Sequence, residues 1–369
     1  MLETTQAYIF RAYVAINKVA LFGPALNVPA YGRRVLRSAL FNPTFKRLLV
    51  FKNVMVYRMG PAWATSLEQL EASLQAAPFV ECGLTQEKSV GWTSPRGEVN
   101  GALAESVGGQ WLLKLMLESK AVPGSVINRK VKERVAQIEV ATGRKPGKKE
   151  TRELKDEARL ELLPMAFTKQ GSVLVWIDPA ARLMLIDAAS QGKADEVLTA
   201  LSKAMEGLGA MLLQTSISPV AAMSDWLLSQ EAPAGFSIDR ECELKAADDS
   251  KAVVRYSRHA LDIDEVQQHI TQGKLPTRLA MTWQGRVSFM LTDTLQIKKL
   301  SFVEGVFQDD ASSSKDDRFD ADAAIATGEI RKLIPDLLDS LGGELVVGVA
   351  PTGAAGAGGS AGDSDTAPF

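Results

Sequence analysis

Residues 277–305, TRLAMTWQGRVSFMLTDTLQIKKLSFVEG, constrain the fold most. Three runs rich in β-branched and aromatic residues are separated by Gln284-Gly285 and Asp293-Thr294, two turn-forming pairs. Three strands joined by such short turns make a β-meander, so the chain must build antiparallel sheet. Further strand signals lie in LLVFKNVMVYRM (48–59) and WLLKLMLESKAV (111–122), the second long enough to leave a helix open. SVLVWIDPAARLMLIDAAS (172–190) is two apolar runs around Asp178-Pro179-Ala180-Ala181, a hairpin signature. Helices are expected over 66–77, where Leu67, Leu70 and Leu74 share a face, and from Lys193 to Leu208. Strands and helices cluster rather than alternate, which favours α+β over a doubly wound fold.

Composition narrows the class. The chain has 369 residues, 46% hydrophobic and 23% charged, the make-up of a soluble globular protein of two or three domains. No run of 18 apolar residues suggests a membrane span. The start lacks the order of a secretory signal, because Glu3 stands where positive charge belongs. Cys82, Cys242, His259 and His269 are the whole supply of cysteine and histidine, with no CxxC or HxxxH spacing. That is too thin for a structural zinc site or a disulfide framework, and it points to a reducing, cytoplasmic compartment with no metal or cofactor.

The two ends differ from the middle. Residues 1–47 hold seven basic residues against the single acid Glu3. The stretch resembles a transit peptide, but translation of upstream sequence from an earlier start explains it more simply. Residues 348–369 are rich in Gly, Ala and Ser and read as a disordered tail.

Charge is unevenly distributed. Residues 120–169 carry thirteen basic and seven acidic side chains, a surplus of six on a chain whose overall net charge is −2. Two helices are expected there. The first has an apolar stripe of Ile127, Val131, Val135 and Ile138, surrounded by Arg129, Lys130, Lys132 and Arg134. Gly143 and Pro146-Gly147 supply a stop and a turn, giving an αα-hairpin. In the second helix Lys148, Arg152, Lys155 and Arg159 fall within one 60° sector, taking about 100° per residue. Leu154, Ala158 and Leu162 lie beside them, and Glu150, Glu157 and Glu161 lie opposite. Arg152–Asp156 and Lys149–Glu153 are possible relieving pairs. Two readings of the stripe stay open: a solvated face, or a row of cations for a phosphate backbone. Pro164 ends the helix. Phe167 is core by default, or a contact residue at the root of the hairpin.

Catalytic signatures are scarce. GxxxxGK[ST], GxSxG and HExxH are all absent. Asp316, Asp317, Asp320 and Asp322 could hold Mg²⁺ for phosphodiester chemistry. The stronger reading is that Asp320 or Asp322 caps a helix beginning near Ala323. His259, beside Arg255 and Arg258, either contacts phosphate or stands idle on the surface.

Several stretches together resemble the RdgC family of recombination-associated proteins: FKNVMVYR (51–58), GWTSP (91–95), GRK (143–145), LKDE (154–157), LLPMAF (162–167), WID (176–178), RFDADAAIATGE (318–329) and LGGE (341–344). Their order is colinear from about Leu48 to Glu344. Family members typically begin just before the FKN strand, near Leu48 or Leu49, which is consistent with an extension over 1–47. The resemblance implies a horseshoe-shaped α+β subunit that closes as a ring-shaped homodimer around double-stranded DNA. It implies little sequence preference, nucleoid association, restraint of RecA-promoted strand exchange and no catalytic activity. The implied domains are a centre (48–122 and 166–225), a basic hairpin tip (123–165) and a base (226–347) containing the meander. Candidate DNA contacts are Arg129, Lys132, Arg144, Lys145, Lys148, Lys149, Arg152, Lys155, Arg159, Lys169, Arg258 and His259, with Phe167 as a dimer contact. Gly147 departs from the family pattern, where a lysine is expected. The competing functions are a Mg²⁺-dependent nuclease built on the 316–322 aspartates, or a protein-interaction module whose basic hairpin docks an acidic partner.

Overall fold

A computed structural model describes residues 51–307 and 314–345; the expectations for 1–47 and 348–369 lie outside the described residues. In chain order the first half contains β1 (Val54–Arg58), α1 (Leu67–Leu74), β2 (Lys88–Thr93), β3 (Ala104–Val107), β4 (Gln110–Lys120), α2 (Gly124–Thr142), α3 (Lys148–Leu162), β5 (Thr168–Asp178), β6 (Leu183–Asp187), α4 (Gln191–Ala204) and β7 (Met211–Leu212). The second half contains α5 (Pro219–Ser229), β8 (Phe236–Ala246), β9 (Val253–Ser257), α6 (Asp264–Thr271), β10 (Lys274–Trp283), β11 (Val287–Thr292), β12 (Ile297–Phe302) and α7 (Lys315–Ser340).

The strands form one sheet in the order β2-β4-β5-β6-β1-β12-β11-β10-β8-β9, with β3 pairing β4 and β7 pairing β1. Every pairing between these strands is antiparallel. The fold is thus α+β on a large antiparallel sheet, and the expected meander is β10-β11-β12. The hairpin expected at 172–190 is β5-β6, closed where the Asp178 carboxylate accepts the Ala181 N–H at 3.0 Å.

Alternation along β1 assigns each sheet face a core. Val54 and Val56 join a cluster with Trp176, Leu185 and the residues under α5, α6 and α7. Met55 and Tyr57 join another with Leu70, Leu74, Val197 and Leu201 from α1 and α4. This period of two is what a strand buried on both faces requires. The seam between the halves is narrow: Val54 is opposite Ile297, and Leu300 donates its N–H to the Lys52 carbonyl at 2.9 Å. Asp187 secures the approach by accepting the Lys52 and Asn53 N–H groups at 3.0 and 2.7 Å. Burial raises its carboxyl above the ordinary aspartate value, and those two bonds oppose the shift.

Helix α7 reinforces the seam. Its Arg331 lies 2.9 Å from the buried Asp178 carboxylate. Near its start, Asp320 accepts from Arg96 at 2.6 Å, and the Arg96 guanidinium sits 4.6 Å over the Phe319 ring. Arg286 grips Glu329 with two bonds of 2.7 and 2.8 Å.

Several boundaries differ from expectation. β1 begins at Val54 rather than 48, and α4 ends at Ala204, four residues before Leu208. α7 begins at Lys315, well before Ala323, because Ser314 and Asp317 form a reciprocal capping box. Asp320 and Asp322 are therefore inside the helix and cap nothing.

Two outcomes follow. A Cβ at Gly91 would lie 2.4 Å from the Phe79 Cα, against backbone that cannot rotate away. Gly91→Ala is expected to destabilise the protein by about 1–3 kcal/mol, seen as a lowered denaturant midpoint. Hydrogen bonds from Arg286 hold Glu329 below its ordinary 4.5. The unfolded chain therefore takes up this proton first, and the stabilisation present above 4.5 is lost as pH falls through the folded value. Arg286→Met should move the Glu329 titration upward by NMR and remove that part of the acid sensitivity.

Candidate nucleic-acid interface

The expected αα-hairpin is α2 and α3, inserted between β4 and β5. Gly143 ends α2 in the left-handed region with φ 70°, where a Cβ would be strained. Gly147 precedes α3, and Leu163–Met165 form a 3₁₀ turn that returns the chain to β5. Val131 of α2 and Ala158 of α3 are buried between the helices.

The acidic flank of α3 is used within the hairpin. Arg134 meets Glu157 at 3.1 Å and Glu161 at 2.5 Å, and Lys130 also pairs with Glu161. The Lys130 ammonium holds the Glu161 carboxyl below the ordinary glutamate value. These pairs lie on one side of the apolar seam. Across the seam no ion pair joins the basic stripe of α3 to α2 among the described residues. Lys148, Lys149, Arg152 and Lys155 are exposed and have no ion-pair partner among the described residues. The relief expected from Arg152–Asp156 and Lys149–Glu153 does not form. Helical spacing puts Lys132 on the flank of α2 opposite Lys130 and Arg134, beside the stripe, while Arg129 points to the back.

Three other candidates are engaged. Arg144 pairs with Glu150 at 3.1 Å and Lys145 with Glu139 at 3.7 Å. Arg159, the last residue of the stripe, reaches Glu87 just ahead of β2 at 3.0 Å and so fixes the hairpin to the sheet. Lys169 is exposed at the start of β5. Arg258 and His259 are not part of this surface. They follow β9 at the far end of the strand order, with His259 Nδ1 2.7 Å from the Ala260 carbonyl oxygen and its ring beside Tyr256.

Phe167 is 92% exposed, which overturns its default assignment to the core. It ends the 3₁₀ return just before β5, and its carbonyl accepts the Ala121 N–H at 3.5 Å, so the ring is left outside. Met165 and Leu160 nearby in sequence are exposed as well.

Asp316, Asp317 and Asp320 of α7 are occupied. Asp317 closes the capping box, Asp320 holds Arg96, and Asp316 lies 4.0 Å from the same guanidinium. Among the described residues no three His, Cys, Asp or Glu side chains gather as a metal-ligand set. No helix among them is long and apolar enough to cross a membrane.

A family model described as "Putative exonuclease, RdgC" matches residues 49–344. The chain belongs to the RdgC family. A recombination-associated protein RdgC from Dechloromonas aromatica is 42% identical over 301 residues, covering 80% of this chain and 98% of that protein. RdgC proteins from Cupriavidus pinatubonensis and Bordetella parapertussis are 45% and 43% identical over 296 residues, with the same coverage. The match begins at residue 49, so the basic stretch before it falls outside the RdgC pattern. Within that pattern the hairpin, residues 123–165, holds eleven basic and seven acidic side chains.

Replacing Glu161 by Gln should loosen the hairpin without unfolding the sheet. Amide exchange should quicken across 124–162, with the thermal midpoint nearly unchanged, because exposed ion pairs add little to global stability.

Proposed function

We propose that this RdgC protein binds double-stranded DNA without sequence specificity and modulates homologous recombination by restraining RecA-promoted strand exchange. The observation that carries the reading is the uncompensated row Lys148, Lys149, Arg152 and Lys155 on an exposed helix of an otherwise acidic chain. Like charges at i,i+4 and i,i+3 repel by a few tenths of a kcal/mol per pair. A polyanion relieves that repulsion, and release of its condensed counterions drives binding with no need to read bases.

In this reading the subunit is a horseshoe with a centre (48–122 and 166–225), a hairpin tip (123–165) and a base (226–347). Two copies close into a ring, with the exposed Phe167 at the root of the tip as a dimer contact. Closure around the duplex makes binding topological, so modest contacts give long residence, and a bound ring occupies the duplex that a recombinase filament must invade. The protein is then a nucleoid-associated, cytoplasmic, non-enzymatic partner of DNA, without a cofactor.

The family description reads "Putative exonuclease", and a Mg²⁺-dependent nuclease built on the 316–322 aspartates is the second reading. Of the aspartates that would serve it, Asp316 and Asp320 face Arg96 and Asp317 closes the capping box. Incubating closed circular and linear duplex with protein and Mg²⁺ separates the two. Cleavage lost in Asp320→Asn would establish the nuclease.

The principal test is duplex binding by fluorescence anisotropy over a salt series, with two unrelated sequences. Equal affinities and a steep negative log–log slope are expected. Changing Lys148, Arg152 and Lys155 together to Gln should weaken both sequences alike and flatten the slope by about one unit per cation. Unchanged binding by the folded variant would remove the stripe from the DNA face and favour docking of an acidic protein instead.

A further inference from the structure

Two hollows adjoin at the N-terminal half of β8, away from the hairpin. One, of about 280 Å³, is lined by three cations: Arg240, Arg258 and Lys299. All three lie at irregularities of the backbone. Arg240 is on a bulge: Cys242 pairs with Leu279 and Ile238 with Met281, so β8 takes four steps where β10 takes two. Arg258 and Lys299 both have left-handed backbones, with φ 55° and 51°. Lys299 occupies the extra residue of β12, where Ser301 and Lys298 face Ser288 and Met290 of β11. Bulges re-aim side chains, and left-handed non-glycine residues cost free energy that a regular strand would not require. Three such departures bring three cations to one hollow.

The charges there are unbalanced. Glu241 pairs with Lys299 at 2.5 Å, and the Asp239 carboxylate accepts the Thr282 hydroxyl at 2.8 Å. Arg240 and Arg258 have no ion-pair partner among the described residues. The loop after β9 is joined to β8 by a bond of 3.1 Å from the His259 N–H to the Arg240 carbonyl.

The second hollow, of about 510 Å³, shares Asp239 and Arg240 with the first. Trp226, Leu227 and Phe236 give it apolar walls, and Gln230 and Asp262 bring polar groups to its lining. Its size is that of a small-ligand site. Aromatic walls suit the face of a base, while the amide and carboxylate can meet a base edge.

We propose that these hollows form a nucleotide site, with the phosphate on Arg240 and Arg258 and the base in the slot beside Trp226 and Phe236. The occupant is an unstacked nucleotide of bound nucleic acid or a free mononucleotide, which share this chemistry. The first source rests on the DNA-binding reading above. Such a site would hold a frayed or single-stranded nucleotide that the phosphate-reading hairpin has no means to distinguish.

Calorimetric titration of the full chain with 2′-deoxyadenosine 5′-monophosphate and with inorganic phosphate tests the site, with duplex anisotropy run alongside. The monophosphate should bind, and more tightly than phosphate. Arg240→Ala with Arg258→Ala should weaken it at least about ten-fold, the loss expected for a charge-assisted contact. Ala232→Trp, at an exposed position lining the larger hollow, should bring the monophosphate down to the affinity of phosphate. A short single strand that responds to the same variants would identify nucleic acid as a source; response by the mononucleotide alone would assign the site to free nucleotides. Absence of monophosphate binding at millimolar concentration, or binding unchanged in the double-alanine protein, would overturn the proposal. Monophosphate binding without duplex binding would support the site and overturn only the duplex reading.

Discussion

The structure depends on β1 being buried on both faces. Val54 and Val56 look into one core and Met55 and Tyr57 into the other, so five residues tie two hydrophobic clusters to one backbone. A one-residue slip would exchange the faces. Its pairing with β6 spans all five residues, whereas its pairing with β12 is a single register position. The meander half is therefore joined to the rest mainly through side chains. Arg331 on Asp178, Arg96 on Asp320 and the apolar underside of α7 do that work. This accounts for aspartates in α7 that serve as anchors along a helix crossing the seam.

The hairpin follows a different rule. Its helices bury little, and Val131 and Ala158 are their fully covered contacts. The ion pairs that join its two helices lie on one side of the seam, where Glu157 and Glu161 neutralise Lys130 and Arg134. None of these pairs reaches Lys148, Arg152 or Lys155, so that part of the stripe is left bare. A helix with alternating signs would have neutralised itself and presented nothing to a phosphate backbone.

Much of this was legible in the chain. The meander, the β5-β6 hairpin, the αα-hairpin with its Gly143 stop and the stripe of α3 all rest on local periodicity and turn chemistry, which neighbouring residues carry by themselves. The misreadings have local causes in some places and tertiary ones in others. Phe167 is apolar and next to a strand, but the 3₁₀ turn at Leu163–Met165 turns it outward. Arg152 and Lys149 had acids at i+4, yet neither pair forms. Arg159 was read with the stripe, and Glu87, seventy-two positions earlier, claims it. The helix from Lys315 starts ahead of Ala323 because Ser314 and Asp317 cap it within a run of small polar residues that resembles a loop.

The sequence by itself determined the α+β class, the antiparallel meander, the basic hairpin and the family, because each is written in short-range pattern or in colinear motifs. Tertiary structure alone decided which cations stay unpaired, since that depends on acids brought in from other elements. It also decided that Arg240, Arg258 and Lys299 share one hollow. Those three come from different strands and loops, and the bulges that aim them exist only once β8, β10, β11 and β12 are paired in register.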